Sequence, residues 1–291
     1  MGHGDIDIHG MDGRMDAIRL EQMLNLPARR AMIGQAGRLP GVRSCSSALC
    51  GRRMASRRLR TGTICHVLRE DVYLAEAIPA PVRAQAIEEC IATVVRIPRG
   101  AWAGHRTNSL PDGIGLLVLE GLLIRHVGVG GSFGAELLGE GDLLRPWQEP
   151  DKPMLPHAVG WRVLQPVRVA VLDREGARRL ARYPELTGRL VAREVERSRT
   201  LAINMAIVGH PRVHVRIHML LWHFADRWGY ARPEGTMLPL PLTHDVLAEL
   251  VAARRPTVST ALARLANSEL VYAKKEGWLL SGEPPGALPE A

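Results

Sequence analysis

LTHDVLAELVAARRPTVSTALARLANSELVYAKKEGWLL, from Leu242 to Leu280, reads as two short helices joined by a tight turn and followed by a β-hairpin. Thr243 is placed to cap the first helix, because a side-chain oxygen at that position accepts from an N–H that the helix leaves unpaired. Val246, Leu247, Leu250 and Val251 form its apolar face, and Ala248 is small enough for the second helix to cross closely. The spacing puts the bend at Ala252 and Ala253 and Pro256 in the first turn of the second helix, where a missing N–H has no cost. Val258, Ala261, Leu262 and Leu265 then point inward, which leaves Arg255, Thr257, Ser259, Thr260 and Arg264 on the outer face. The hairpin LVYAKKEGWLL is predicted to turn at Glu276 and Gly277.

Caps, turn and hairpin in this order make a winged helix-turn-helix, a double-stranded DNA reader. Its outer face is short, polar and cationic, as a helix whose N-terminal end enters a major groove requires. Arg255 can donate two bonds to a guanine edge, while Arg254 and Thr257 lie where helix N-terminal N–H groups meet phosphate. Thr243 and His244 at the head of the first helix, and Lys274 and Lys275 on the hairpin, complete the predicted contact set. A plain helical hairpin with a solvated charged face is the alternative.

Working outward, Val213, Ile217, Leu220, Leu221, Phe224 and Trp228 form one face of a helix that Gly229 should stop, preceded by the helix-breaking run Gly209, His210, Pro211. Before that, ELTGRLVAREVERSRTLAINMAIV after Pro184 reads as one long helix. Val191, Val195, Ser198, Ala202 and Met205 fall at spacings of four and three, flanked by Leu190, Leu201 and Val208, and the opposite face is rich in Arg and Glu. Such a seam suits a partner helix and predicts a homodimer; packing on its own neighbouring domain is the alternative. From Cys90 to Asp173, runs such as IATVVRI, IGLLVLEGLLIRHVGV and VRVAVLD alternate with Gly and Pro, the texture of an antiparallel sandwich or barrel. A helical segment interrupted at Pro79 and Pro81 spans 67–89. The chain therefore reads as α+β, divided into a basic extension (1–62), a β-rich sensor domain (63–183), a dimerisation helix (184–208), the reader (209–282) and a tail (283–291).

The chain of 291 residues is long enough for two domains with separate cores. Its net charge of +8 is unevenly placed, since residues 1–60 hold eleven arginines against five acids. That extension lacks a sustained apolar period and is expected to be disordered or loosely helical, with MDAIRLEQMLNL (Met15 to Leu26) as its one amphipathic stretch. The remainder is nearly neutral, so nucleic-acid binding has to come from a local patch. No run of about 18 apolar residues and no secretory signal is evident, which predicts a cytoplasmic protein without a membrane partner.

Cys45, Cys50, Cys65 and Cys90 fit no common zinc or redox spacing and are expected as free thiols, with a redox or metal-responsive role the alternative. His214 and His218 in HVRIH resemble a zinc-hydrolase pair, but Val215 stands where the activating glutamate belongs, so no catalytic activity and no cofactor is predicted. His223 is the only further histidine on that helix that could join them in a metal site.

These residues resemble the Crp/Fnr family, the relatives of the cyclic AMP receptor protein, over 209–282 and, in element order, over 67–208. The resemblance implies a β-roll sensor (a cyclic-nucleotide-binding-like sandwich), a dimerising central helix and a winged reader of two near-palindromic half-sites, with RNA polymerase as a partner. Arg255 stands where such regulators place a base-reading arginine. Ala252 occupies a turn position that usually carries glycine, and Pro256 and Thr260 replace a glutamate and an arginine, which implies a different operator. The family's phosphate cassette, a Gly-Glu pair followed by Arg-Ser/Thr-Ala, is absent, since Gly139 to Asp142 continues as LLRPWQEP. The effector is thus unidentified and is not expected to be cyclic AMP. A cyclic-nucleotide signalling module without DNA binding, or an interaction protein acting through the basic arm, are the remaining alternatives.

Overall fold

The computed structural model describes residues 63–103, 113–147 and 154–286. The predicted extension, its amphipathic stretch, Cys45 and Cys50, and the end of the tail lie outside these.

The predicted 67–89 segment resolves into three helices, α1 (Val67–Glu70), α2 (Val72–Glu76) and α3 (Ala80–Glu89). Asp71 divides the first two, its carboxylate accepting from Leu74 N at 2.9 Å as the cap of α2. Pro79 caps α3 and Pro81 lies in its first turn, so both prolines start a helix.

The segment expected to be a sensor is built on one antiparallel sheet in the order β1 (Ile64–His66), β2 (Ile91–Ile97), β7 (His157–Leu172), β4 (Gly115–Val129), β5 (Ser132–Leu138); β3 (Gly100–Trp102) joins β7 and β6 (Leu143–Leu144) joins β4. Its spine is the pairing of β4 with β7, from Gly115 opposite Leu172 to Val129 opposite His157, with register shifts between Val118 and Leu123. Those shifts, and burial of Leu116, Leu117 and Val118 in succession, break the alternation that a half-buried strand would show. Gly121 lies in the shifted stretch with φ +96°, where a Cβ would sit 2.2 Å from Pro166 O.

Several elements were not anticipated from sequence: β5, the first ten residues of β7, and helix α4 (Arg174–Leu180). The last is capped by Asp173, which accepts from Gly176 N at 2.9 Å.

Helix α5 (Pro184–Gly209) is continuous for 26 residues, ending one residue later than predicted. Along the predicted seam Val191, Val195 and Met205 are 58%, 48% and 76% exposed, Ser198 and Ala202 are exposed, and Leu201 is half-buried. Leu190 corrects the prediction: it is buried with Leu180, Tyr183 and Leu186 in the sensor core. The arginines opposite the seam are not simply solvated. Arg193 reaches buried Asp71 at 2.5 and 2.8 Å, and Arg197 reaches buried Glu136 at 2.7 and 3.0 Å. Glu136 also receives Arg125 at 2.8 Å, so this buried carboxylate is paired twice and the helix is pinned to the sheet. Among the described residues no helix is long and apolar enough to cross a membrane.

The reader follows as α6 (Val213–Trp228), β8 (Tyr230–Arg232), β9 (Gly235–Leu238), α7 (His244–Leu250), α8 (Arg255–Asn267), β10 (Val271–Lys274) and β11 (Gly277–Leu280). Its strands form a second sheet, β10-β11-β9-β8, of which the first hairpin was not predicted. Gly229 does end α6, but with φ −80°. Its reason is steric rather than left-handed, because a Cβ would meet Ala225 O at 2.5 Å. The apolar interior of the reader includes Leu122, Ile124 and Leu137 of the sensor sheet. Beside it, Glu249 of α7 is bonded by His126 at 3.0 Å and by Arg162.

Candidate nucleic-acid interface

The geometry of the reader is set by its turn. Thr243 Oγ1 accepts from Val246 N at 3.3 Å, which starts α7. The helix ends when Ala252 enters the left-handed region at φ 49° and Ala253 N returns to Ala248 O at 2.9 Å. This is the position where glycine is expected, and alanine there carries a backbone cost of about 1–2 kcal/mol. Arg216 of α6 braces the turn from outside by donating to Val251 O at 3.1 Å. Arg254, extended at φ −80°, is the N-cap of α8, and Pro256 lies in its first turn.

Val258, Ala261, Leu262 and Leu265 of α8 are buried, and Arg254, Arg255, Thr257, Thr260 and Arg264 are exposed. Ser259 departs from the predicted outer set. It is half-buried, with its hydroxyl 2.9 Å from His244 Nδ1. His244 and Ser259 thus clasp α7 to α8, a role in positioning the helix rather than a free polar edge. Thr260 Oγ1 is turned back to donate to Pro256 O at 3.2 Å. Arg255 Nε lies 3.0 Å from Asp245 Oδ1, a pair in which both side chains are more than half exposed. Asp245 was not singled out in the sequence, since a lone acid in the first turn of a helix reads as a response to the helix dipole.

On the wing, the turn residues are Lys275 and Glu276, with Gly277 already paired to Lys274; the predicted turn is corrected by one residue. No side chain fits at Gly277, where a Cβ would meet Leu238 O at 2.1 Å. Lys274 and Lys275 are exposed, while Glu276 is drawn away by Arg232 at 2.6 Å. Trp278 Nε1 donates to Leu242 O at 3.1 Å and fixes the wing against the start of α7. The result is one face carrying Arg254, Arg255, Thr257 and Arg264, with the wing lysines on the adjoining hairpin. Its backbone frame is held by buried or half-buried groups.

The histidines of α6 do not converge. His218 is buried and its Nε2 accepts from Trp222 Nε1 at 3.0 Å; burial, and then His214, lower its pKa. Burial, followed by Arg264 and Arg212, also lowers that of His214. Cys65 and Cys90 are buried free thiols; burial pushes the first up and the second up to about 11, which keeps both protonated at neutral pH. Among the described residues no group of three or more His, Cys, Asp or Glu could hold a metal.

The fold is an antiparallel sheet that leads through a long helix to a winged helix-turn-helix, a DNA-binding module. Residues 215–280 match the Crp-like helix-turn-helix domain. Among solved structures, a CooA mutant from Carboxydothermus hydrogenoformans is 15% identical, with 77% of this chain and 93% of that one covered, at a TM-score of 0.52. FixK2 from Bradyrhizobium japonicum is 17% identical over 66% and 93% of the two chains, with a TM-score of 0.49. CLP, the c-di-GMP responsive regulator of Xanthomonas campestris, is 18% identical over 69% and 100%, also at 0.49. No curated protein matches in sequence. Residues 215–280 are thus a Crp-like helix-turn-helix domain, and the chain shares the fold of the CooA structure.

Proposed function

We propose that the chain is a homodimeric, sequence-specific regulator without catalytic activity, acting in the cytoplasm on a near-palindromic operator and through RNA polymerase. The observation that carries this reading is the exposed cationic face of α8, with Arg254, Arg255, Thr257, Thr260 and Arg264 outward and the wing lysines beside it. Arg255 reads a guanine; Arg254, Thr257, Lys274 and Lys275 position the backbone. Val191, Val195, Ser198, Ala202 and Met205 form the dimer seam, supported by their exposure along a helix otherwise fixed to the sensor sheet. The boundaries follow the functional division of 1–62, 63–183, 184–208, 209–282 and 283–291.

The sensor answers to an effector other than cyclic AMP. In support, the turn from Gly139 closes on its own carboxylate, with Asp142 accepting from Gly139 N at 2.7 Å and pairing with Arg227 at 3.1 Å. Leu143 and Leu144 then enter β6, so an apolar strand follows where the family keeps its anion cradle. Calorimetry with cyclic AMP and cyclic GMP should show no binding.

Selection of bound sequences from a random DNA pool tests the main claim and should return two related half-sites. Arg255→Ala should relax one base position per half-site and weaken specific binding by about 1–3 kcal/mol. Lys274→Ala should weaken all sequences alike and flatten the salt dependence by a slope of about 0.9. Unchanged specificity in Arg255→Ala would place the reading elsewhere.

A further inference from the structure

We propose that Asp245 is a specificity-determining positioning residue that presents Arg255 to guanine, an inference that rests on the reading of Arg255 as a base contact. Asp245 stands in the first turn of α7 and Arg255 is the first residue of α8. The turn at Ala252 brings them together, so that Asp245 Oδ1 lies 3.0 Å from Arg255 Nε. The contact is to Nε, the guanidinium nitrogen nearest the chain. A guanine edge offers two acceptors, O6 and N7, and the terminal Nη1 and Nη2 are a matching pair of donors. With Nε engaged by the carboxylate, that end-on approach is the one held ready.

In the free protein this pair contributes little to stability, because both side chains are more than 60% exposed and water screens them. Its effect lies in binding. An unrestrained arginine loses rotamer freedom when it docks on a base, and a partner that already holds it reduces that loss. Once DNA excludes water, the same ion pair strengthens. The position of the acid argues in the same direction. A carboxylate beside a polyanion lowers affinity for every sequence, a loss that a gain in discrimination would offset. A purely structural role, favouring the helix dipole of α7, would affect folding and leave base preference alone.

The test uses the full chain and its selected operator, with all four base pairs placed at the position where Arg255→Ala loses its preference. Asp245→Ala should reduce the guanine preference there by about three- to tenfold, part of what a bidentate pair supplies, while binding to unrelated DNA tightens. Asp245→Asn, which keeps an acceptor oxygen, should retain more of the preference. Adding Asp245→Ala to Arg255→Ala should bring no further loss of discrimination, because the two act as one unit. If Asp245→Ala keeps the full preference that Arg255→Ala loses, the positioning role is wrong and the reader stands. If Arg255→Ala itself loses nothing, the base contact is misassigned and the positioning role falls with it.

Discussion

The sheet and the reader both need positive-φ backbone at one position, in mid-strand in the first and at a turn in the second, and they meet the need in opposite ways. In the sheet, Gly121 combines φ +96° with a neighbouring carbonyl 2.2 Å from where a Cβ would stand, so no side chain fits. In the reader, Ala252 adopts φ 49° in an exposed position and remains an alanine. The conformation alone costs about 1–2 kcal/mol, which a well-packed pair of helices absorbs. Conformation together with backbone contact has to be avoided altogether. The difference separates a constraint on the chain from a constraint on the space around it.

The sharpest way to break this comparison is Gly121→Ala. It should destabilise the protein by on the order of 4 kcal/mol in denaturant unfolding, because strain and a backbone clash coincide; a loss near 1 kcal/mol would mean that Pro166 simply moves. Next in size, Leu247→Ala removes a fully buried side chain from the reader interior and should cost about 3 kcal/mol. Since that interior includes Leu122 and Ile124, tryptophan fluorescence from the sensor and from Trp278 should shift together. Separate transitions would show two independent units. Ala252→Gly should gain about 0.5–1 kcal/mol, the relief of strain less the extra chain entropy of glycine, read as a raised Tm with unchanged operator preference.

The smallest effect expected is one of pH. Burial holds the His218 pKa below its ordinary value near 6.5, and Trp222 needs the neutral ring as an acceptor. The unfolded chain therefore takes up a proton that the folded chain refuses. Stability is complete above about pH 6.5 and falls as pH drops from there toward the lowered folded value. His218→Gln should flatten that slope between pH 7 and 5; an unchanged slope would place the titration elsewhere.

How legible each region was in the sequence follows from the same contrast. Thr243, Pro256 and the buried positions of α7 and α8 are marked by neighbours within a turn or two, and the reader was read almost residue by residue. Ser259 escaped because its partner, His244, lies 15 residues away on another helix, and Asp245 because its pairing with Arg255 depends on the angle of the turn. The sheet joins strands across tens of residues. β5 buries Glu136, Leu137 and Leu138 in succession and the first ten residues of β7 bury only Val163, so neither shows the alternation of a strand. Leu190 flanks the helical seam, but the core under the sheet closes over that end of α5 and takes it inward.

The contact around Glu249 bears on how the molecule would behave if severed. Gly209 to Pro211 is a boundary along the chain, yet Leu122, Ile124 and Leu137 from one side of it lie in the apolar interior of the other, with Arg162 and His126 closing on Glu249 at its edge. A fragment beginning at residue 209 would carry an uncovered oily patch beside an unpaired carboxylate. Such a fragment is the poorer choice for measurements that need a soluble, singly dispersed reader, and the shortest stretch that keeps this surface covered has to include the sensor sheet as well.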